Sequence, residues 1–150
     1  MRHSLTFFFA SCCAAICLSA AIETTYEDSK KFSDLEMTDR SKSTTLKLFD
    51  RELKASKTLA AIPKDGQKLS LQFTDIDMAG EILPFVGPSK RDTRVVKAIY
   101  PPRLVFNYVL SEASGEILQS GEQTLTDINF QQNIVRASSS ELFYYEIKLL

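Results

Sequence analysis

The sequence has no tryptophan, one histidine and three cysteines, and His3, Cys12, Cys13 and Cys17 all fall at its very start. Beyond Cys17 neither residue type occurs. That excludes cysteine nucleophiles, Ser-His-Asp triads, His or Cys zinc sites and the usual ligation of haem and iron–sulfur clusters from the rest of the chain. It excludes disulfides there as well, so a fold must rest on its core. An excess of charge is also lacking: 18 Lys and Arg face 19 Asp and Glu, a net charge of -1, which provides no basic field for nucleic acid or an anionic membrane. With 5 Gly and 5 Pro in 150 residues the chain is neither fibrous nor of low complexity, and no internal repeat is visible. What is present is ordinary globular composition, 44% hydrophobic and 25% charged, enough for one domain. These absences leave carboxylates, Lys, Arg, Tyr, Ser and Thr to carry any chemistry.

The N-terminus reads as an address. Met1-Arg2-His3-Ser4 is short and basic, and Leu5 to Leu18 is an uncharged stretch of about 14 residues rich in Phe and Ala. A membrane-spanning helix needs about 20 apolar residues, so the pattern predicts a secretory signal peptide over 1–21, cut between Ala21 and Ile22, with a cut after Ala20 nearly as good a fit. Ser19 and Ala21 are the small residues that a signal peptidase site wants. Lipidation fits less well, since Phe9 stands where a Leu is usual before Cys12 and bulky Ile16 precedes Cys17. A buried N-terminal helix would need a polar outer face, which Leu5 to Leu18 does not have. Past Ala21 no apolar run reaches spanning length, so no transmembrane helix is expected in the mature chain, residues 22–150. The expected location is the periplasm or the medium.

Periodicity sets the remaining elements. Ile22 to Glu27 alternates as a short edge strand, and Asp28 to Lys42 reads as a loop anchored by Phe32. Leu46, Phe49, Leu53 and Ala60 recur at helical spacing, which predicts one long amphipathic helix from Ser43, its N-cap, to Ala61 before Pro63. Pro63 to Gly66 is turn chemistry, and Leu69, Leu71 and Phe73 alternate with polar residues as a half-buried strand. A long loop is expected from Pro84 towards Arg94, with a short strand over Arg94 to Ile99. Arg103 to Leu110 is apolar on both faces, as a central strand covered on both sides would be. Ser114-Gly115 turns it into an antiparallel partner over Glu116 to Thr124. Glu141 to Leu150 fits either helix or strand by its pattern, with helix the reading preferred. The sum is an α+β fold of two layers, a mainly antiparallel sheet with a central hairpin and one helix packed on a face.

Three groups stand out as candidate sites, each with a plainer alternative. Asp75 and Asp77 share the parity of Leu71 and Phe73, so a straight strand would point two carboxylates into the core; the strand should end, bulge or meet partners there. Pairing with Arg94 or Arg103 is the expected remedy. With Glu81 the two aspartates are the weak candidates for a divalent cation, although no Asp-x-Asp-x-Asp-Gly run is present, and a turn held by Asp side chains explains them as well. Tyr100-Pro101-Pro102-Arg103 offers an aromatic and cationic ledge for a peptide, glycan or lipid head group, or simply a rigid entry into the following strand. Asp127-Ile128-Asn129 is expected to end the hairpin partner by bonding to its own backbone.

Several segments in order, Lys31-Phe32-Ser33-Asp34, Phe73 to Glu81, Tyr100 to Arg103, Gly121-Glu122, Leu125 to Phe130 and Tyr145 to Lys148, resemble the bacterial domain of unknown function 3016 family over nearly all of 22–150. The resemblance implies a small exported bacterial protein without an assigned activity. It also implies an acidic and aromatic end after the Tyr-Glu segment that this sequence does not carry, so the last packing element is expected to be short. The function expected is a non-catalytic binding or structural module of the envelope, with an envelope protein, peptide or glycan as partner and no cofactor implied. The alternative from another class is a metal-dependent or carboxylate-based hydrolase using Asp75, Asp77 and Glu81. A third reading is a lipid- or peptidoglycan-associated factor with an apolar groove between helix and sheet.

Overall fold

The main sheet has four strands. A computed structural model describes residues 20–85, 92–132 and 142–150. Along the chain these form β1 (Ala21–Tyr26), a single 3-10 turn (Ser29–Lys31), α1 (Lys42–Ala55), α2 (Lys57–Ala60) and β2 (Gln67–Asp77). They continue with β3 (Glu81–Leu83), β4 (Thr93–Val95), β5 (Arg103–Glu112), β6 (Ile117–Thr126) and α3 (Tyr144–Lys148). β1 runs parallel to β2, while β2–β5 and β5–β6 are antiparallel. β3 and β4 form a separate two-stranded ribbon. The fold is thus mixed α and β with a mainly antiparallel sheet and few helices. Residues 1–19 of the segment expected to be a signal peptide, and most of the loop expected from Pro84, lie outside the described residues. Among the described residues no helix is long and apolar enough to cross a membrane.

One face of the sheet carries the core. Leu69, Leu71, Phe73 and Ile76 of β2 and Leu104 and Phe106 of β5 are buried against Phe49 and Leu53 of α1, Leu59 of α2 and Phe143 beside α3. Phe49 meets Phe73 edge-on at 5.7 Å and Phe143 at 5.4 Å, so α1 joins β2 to the C-terminal segment through one ring. Phe32 and Leu35, from the polar 28–42 segment, are fully engaged in this core, which gives that segment a fixed course. The opposite face of β5 is only half-buried at Val105 and Val109, in contrast to the expected cover on both sides. The layers are therefore two, and Asn107 between those valines faces the open side.

The helical region differs from the single helix expected over 43–61. Ser41, not Ser43, caps α1 by accepting the Thr44 N–H, and the helix stops at Ala55 because Ser56 turns extended and caps α2 by accepting the Leu59 N–H. In one continuous helix Leu59 would sit about 120° around from Leu53, leaving the small Ala60 to face the sheet. The break at Ser56 reverses this: Leu59 is buried and Ala60 exposed, which places the larger apolar group in the core. β5 and β6 form an antiparallel hairpin at one side of the sheet, with β6 as its end strand rather than at its centre. Within it Tyr108 lies over Gly121, where an added Cβ would come within 3.2 Å of its ring, and the Tyr108 hydroxyl accepts from Gln119 at 2.9 Å.

Candidate functional site

The parity conflict at Asp75 is resolved by a bulge. Register runs Phe73 to Phe106 and then Asp75 to Val105, so Thr74 is the extra residue, and its hydroxyl bonds to the Val105 carbonyl at 3.2 Å. One inserted residue flips everything after it to the other face. Ile76 therefore turns into the core opposite Leu104, and Asp75 and Asp77 turn out beside Arg103 instead of being buried uncompensated. The Asp75 carboxylate accepts from the Ser33 backbone at 2.7 Å, the Ser33 hydroxyl at 2.8 Å and the Arg103 guanidinium at 2.7 Å. Asp77 stands 3.8 Å from the same guanidinium.

A second knot lies alongside. Asp34 continues the sheet edge beyond β1 by pairing its backbone with β2: its N–H bonds to the Ile76 carbonyl and its carbonyl accepts from Met78. Its carboxylate takes both oxygens to the Arg94 Nη2 at 2.7 and 2.8 Å, so Arg94 pairs with Asp34 and not with Asp75 or Asp77. Arg94 also donates to the carbonyls of Glu36, Ala79 and Gly80, tying β4 to the 34–36 segment and to the turn after β2. Glu146 of α3 reaches that turn from below, accepting the Ala79 N–H at 2.7 Å from a buried position. Burial pushes the Glu146 carboxyl above its ordinary value, against the pull of the Ala79 N–H. The turn is close-fitting: Gly80 has a φ of +83°, and a Cβ there would fall 2.3 Å from the Val95 carbonyl oxygen.

Between these knots opens a cleft of about 410 Å³ lined by Asp34, Asp77, Gly80, Glu81, Ile99, Tyr100, Pro101, Arg103 and Thr126. It brings together Asp77, Glu81, Tyr100 and Arg103 of the residues singled out from the sequence. Asp75 is not in its lining and sits behind Arg103 as that residue's anchor. Glu81 is paired with Lys97. Asp77 has the loosest ion pair of the group, at 3.8 Å from Arg103, and burial, reinforced by the negative Asp34 and Asp75, holds its carboxyl above the ordinary value despite that cation. Tyr100 and Ile99 leave apolar surface exposed at the rim. The rigid course from Tyr100 to Arg103 is set by buried Pro102, whose carbonyl accepts from the Thr126 hydroxyl at 3.0 Å. Asp127 lies outside this cleft and bonds to the Asn129 N–H at 2.8 Å at the end of β6. Among the described residues no group of three or more His, Cys, Asp or Glu is placed to hold a metal ion.

A family model described as "Protein of unknown function (DUF3016)" matches residues 20–150. The chain belongs to the DUF3016 family. Neither curated proteins nor solved structures gave a match. Four of the six segments by which the sequence resembles DUF3016 converge here: Ser33 and Asp34, Asp75 to Glu81, Tyr100 to Arg103 and Glu146 all meet around one end of β2. Asp34 and Glu146 were not marked as site residues by spacing or charge. Their signal was membership in those segments, Lys31 to Asp34 and Tyr145 to Lys148.

Proposed function

We propose that this DUF3016 protein is a non-catalytic binding module of the bacterial envelope, exported by residues 1–21, whose ligand seats in the cleft between the end of β2 and the Tyr100–Arg103 ledge. The carrying observation is how the charges are engaged: Asp34 is held by Arg94, Asp75 by Arg103 and Glu81 by Lys97, so three of the carboxylates serve the walls. A carboxylate-based hydrolase needs two carboxyl groups facing each other across a substrate, one of them free to act as base. Here Asp75 is turned away from the cleft and Glu81 is neutralised, which leaves Asp77 as a lone acceptor beside Arg103. Such a rim suits a ligand with hydroxyl or amine donors for Asp77 and an apolar face for Tyr100, as a glycan or a peptide has.

Export is supported by the charge and length of the first segment and by a family match that begins at residue 20. Mass spectrometry of the mature protein from a fractionated bacterium should give an N-terminus at Ile22; an uncleaved chain in the cytoplasm would refute export. For the site, binding to isolated cell-wall glycan and to peptide libraries is the test, with Asp77→Asn and Tyr100→Ala as variants. Both should weaken retention about tenfold, the effect of losing one polar or one apolar contact to the ligand, without lowering the melting temperature. Retention that survives both substitutions would move the ligand elsewhere. Calcium, magnesium and manganese should leave the melting temperature unchanged, whereas a cation at ~100 times its Kd would add ~2.7 kcal/mol. A shift abolished by Asp75→Ala with Asp77→Ala would favour the hydrolase.

A further inference from the structure

The charges around the cleft do not balance. Among the described residues its walls and their anchors bring four carboxylates, Asp34, Asp75, Asp77 and Glu81, against three cations, Arg94, Arg103 and Lys97. Each cation is already committed. Arg94 donates to both oxygens of Asp34 and to the carbonyls of Glu36, Ala79 and Gly80, and Lys97 pairs with Glu81. Arg103 is pinned by Asp75 at 2.7 Å and by the Ser33 hydroxyl at 3.2 Å, which keeps it from closing on Asp77. Asp77 therefore stands 3.8 Å from that guanidinium, and among the described residues no group donates a hydrogen bond to its carboxylate. Glu146, behind the turn, can only add to the deficit of positive charge. Burial and the negative Asp34 and Asp75 hold the Asp77 carboxyl above its ordinary value against the pull of Arg103 and Arg94, a balance that a further cation beside it would reverse. Next to this carboxylate the lining is apolar and open to solvent, with Ile99 73% and Tyr100 40% exposed.

Given that the ligand seats in this cleft, as proposed above, we infer that it is a basic peptide, whose Lys or Arg side chain sets its cationic head against Asp77 and lays its aliphatic stem on Tyr100 and Ile99. Charge complementarity decides the class: one unbalanced carboxylate in a walled cleft attracts one positive charge and repels an acidic segment. A long basic side chain carries both halves of what the site offers, an apolar stem and a charged tip, and its head gains further from a tyrosine ring. A neutral glycan brings no charge to Asp77, and sugar rings favour aromatic platforms, whereas the lining has one aromatic residue and the other exposed apolar group is the aliphatic Ile99. Because the wall charges are held by one another, the acceptor is preset and binding requires little rearrangement.

Fluorescence anisotropy with labelled pentapeptides tests this. The probes carry Lys, norleucine or Glu at the centre, with apolar residues varied on either side; norleucine keeps the stem of Lys and drops the ammonium. Lys probes should bind, norleucine should lower the affinity about tenfold, as loss of a charge-assisted hydrogen bond does, and Glu should lower it further. In the Asp77→Asn protein the Lys and norleucine probes should bind alike, which assigns the charge contact to that carboxylate. Added salt should weaken the Lys probes alone. Lys probes that fail to bind, or that bind the unmodified protein no better than norleucine probes, overturn the inference. Cell-wall glycan retained by the protein and released by Tyr100→Ala would overturn the basic peptide and leave the cleft as the ligand site. Lys probes that keep their full affinity in both Asp77→Asn and Tyr100→Ala would overturn the cleft as well.

Discussion

At the scale of single residues, two glycines with the same backbone angle separate conformational from steric cost. Gly66 and Gly80 have φ of +82° and +83°, but an added Cβ meets open space at Gly66 and the Val95 carbonyl at Gly80. Gly66→Ala should therefore cost only the left-handed penalty of about 1 kcal/mol, while Gly80→Ala should cost about 3 kcal/mol or more, because backbone must move. Urea denaturation of both variants checks this, and equal losses would disprove it. The Arg103 cluster offers a second case. Asp75→Arg and Arg103→Asp should each destabilise, and the double reversal should recover part of the loss; additive losses would mean the pair is not coupled. That pairing was legible from parity, since two carboxylates aligned with core residues must find a cation. The partner of Arg94 was not legible, because Asp34 lies in a segment without periodicity and 60 residues away.

At the scale of elements, the sequence showed where strands and helices lie better than how they are interrupted. The bulge at Thr74 was foreseeable as one of three remedies, whereas the break at Ser56 depends on a choice between Leu59 and Ala60 that only the sheet's shape decides. Ser56→Ala removes the cap of α2 and should cost about 1 kcal/mol by thermal denaturation. The docking of α3 should depend on pH through Glu146. Its folded carboxyl lies above the ordinary value of 4.5, so the folded chain holds the proton more tightly than the unfolded one. Stability from this group is full below that ordinary value and is lost as pH rises through the higher folded value. Asp77 contributes with the same sign, and Asp50, whose carboxyl is lowered by hydrogen bonds from Lys54, Thr24 and Tyr26 despite desolvation, with the opposite one. Glu146→Gln keeps an acceptor for Ala79 and should flatten the fall in stability between mildly acidic and neutral pH. An unchanged profile would show that the carboxyl is not the source.

At the scale of the whole molecule, protection should follow burial. Amides of β2 and β5, the strands that hold Phe73 and Phe106, should exchange most slowly in deuterium, and the outward amides of β6 fastest among the strands. The two-layer arrangement and its mainly antiparallel sheet were legible because alternation and helical spacing report burial directly. The cleft was legible only as separate candidates. Its walls come from segments far apart in the chain, and no local pattern records that they meet. That distance also orders the protein's assembly in time. Ala79 and Glu146 are bonded across 67 residues, and Phe143 closes on Phe49. During synthesis the turn that shapes the cleft emerges long before the helix that braces it. A chain paused before Phe143 lacks one wall of that core, so the core closes only after Phe143 and Glu146 have emerged.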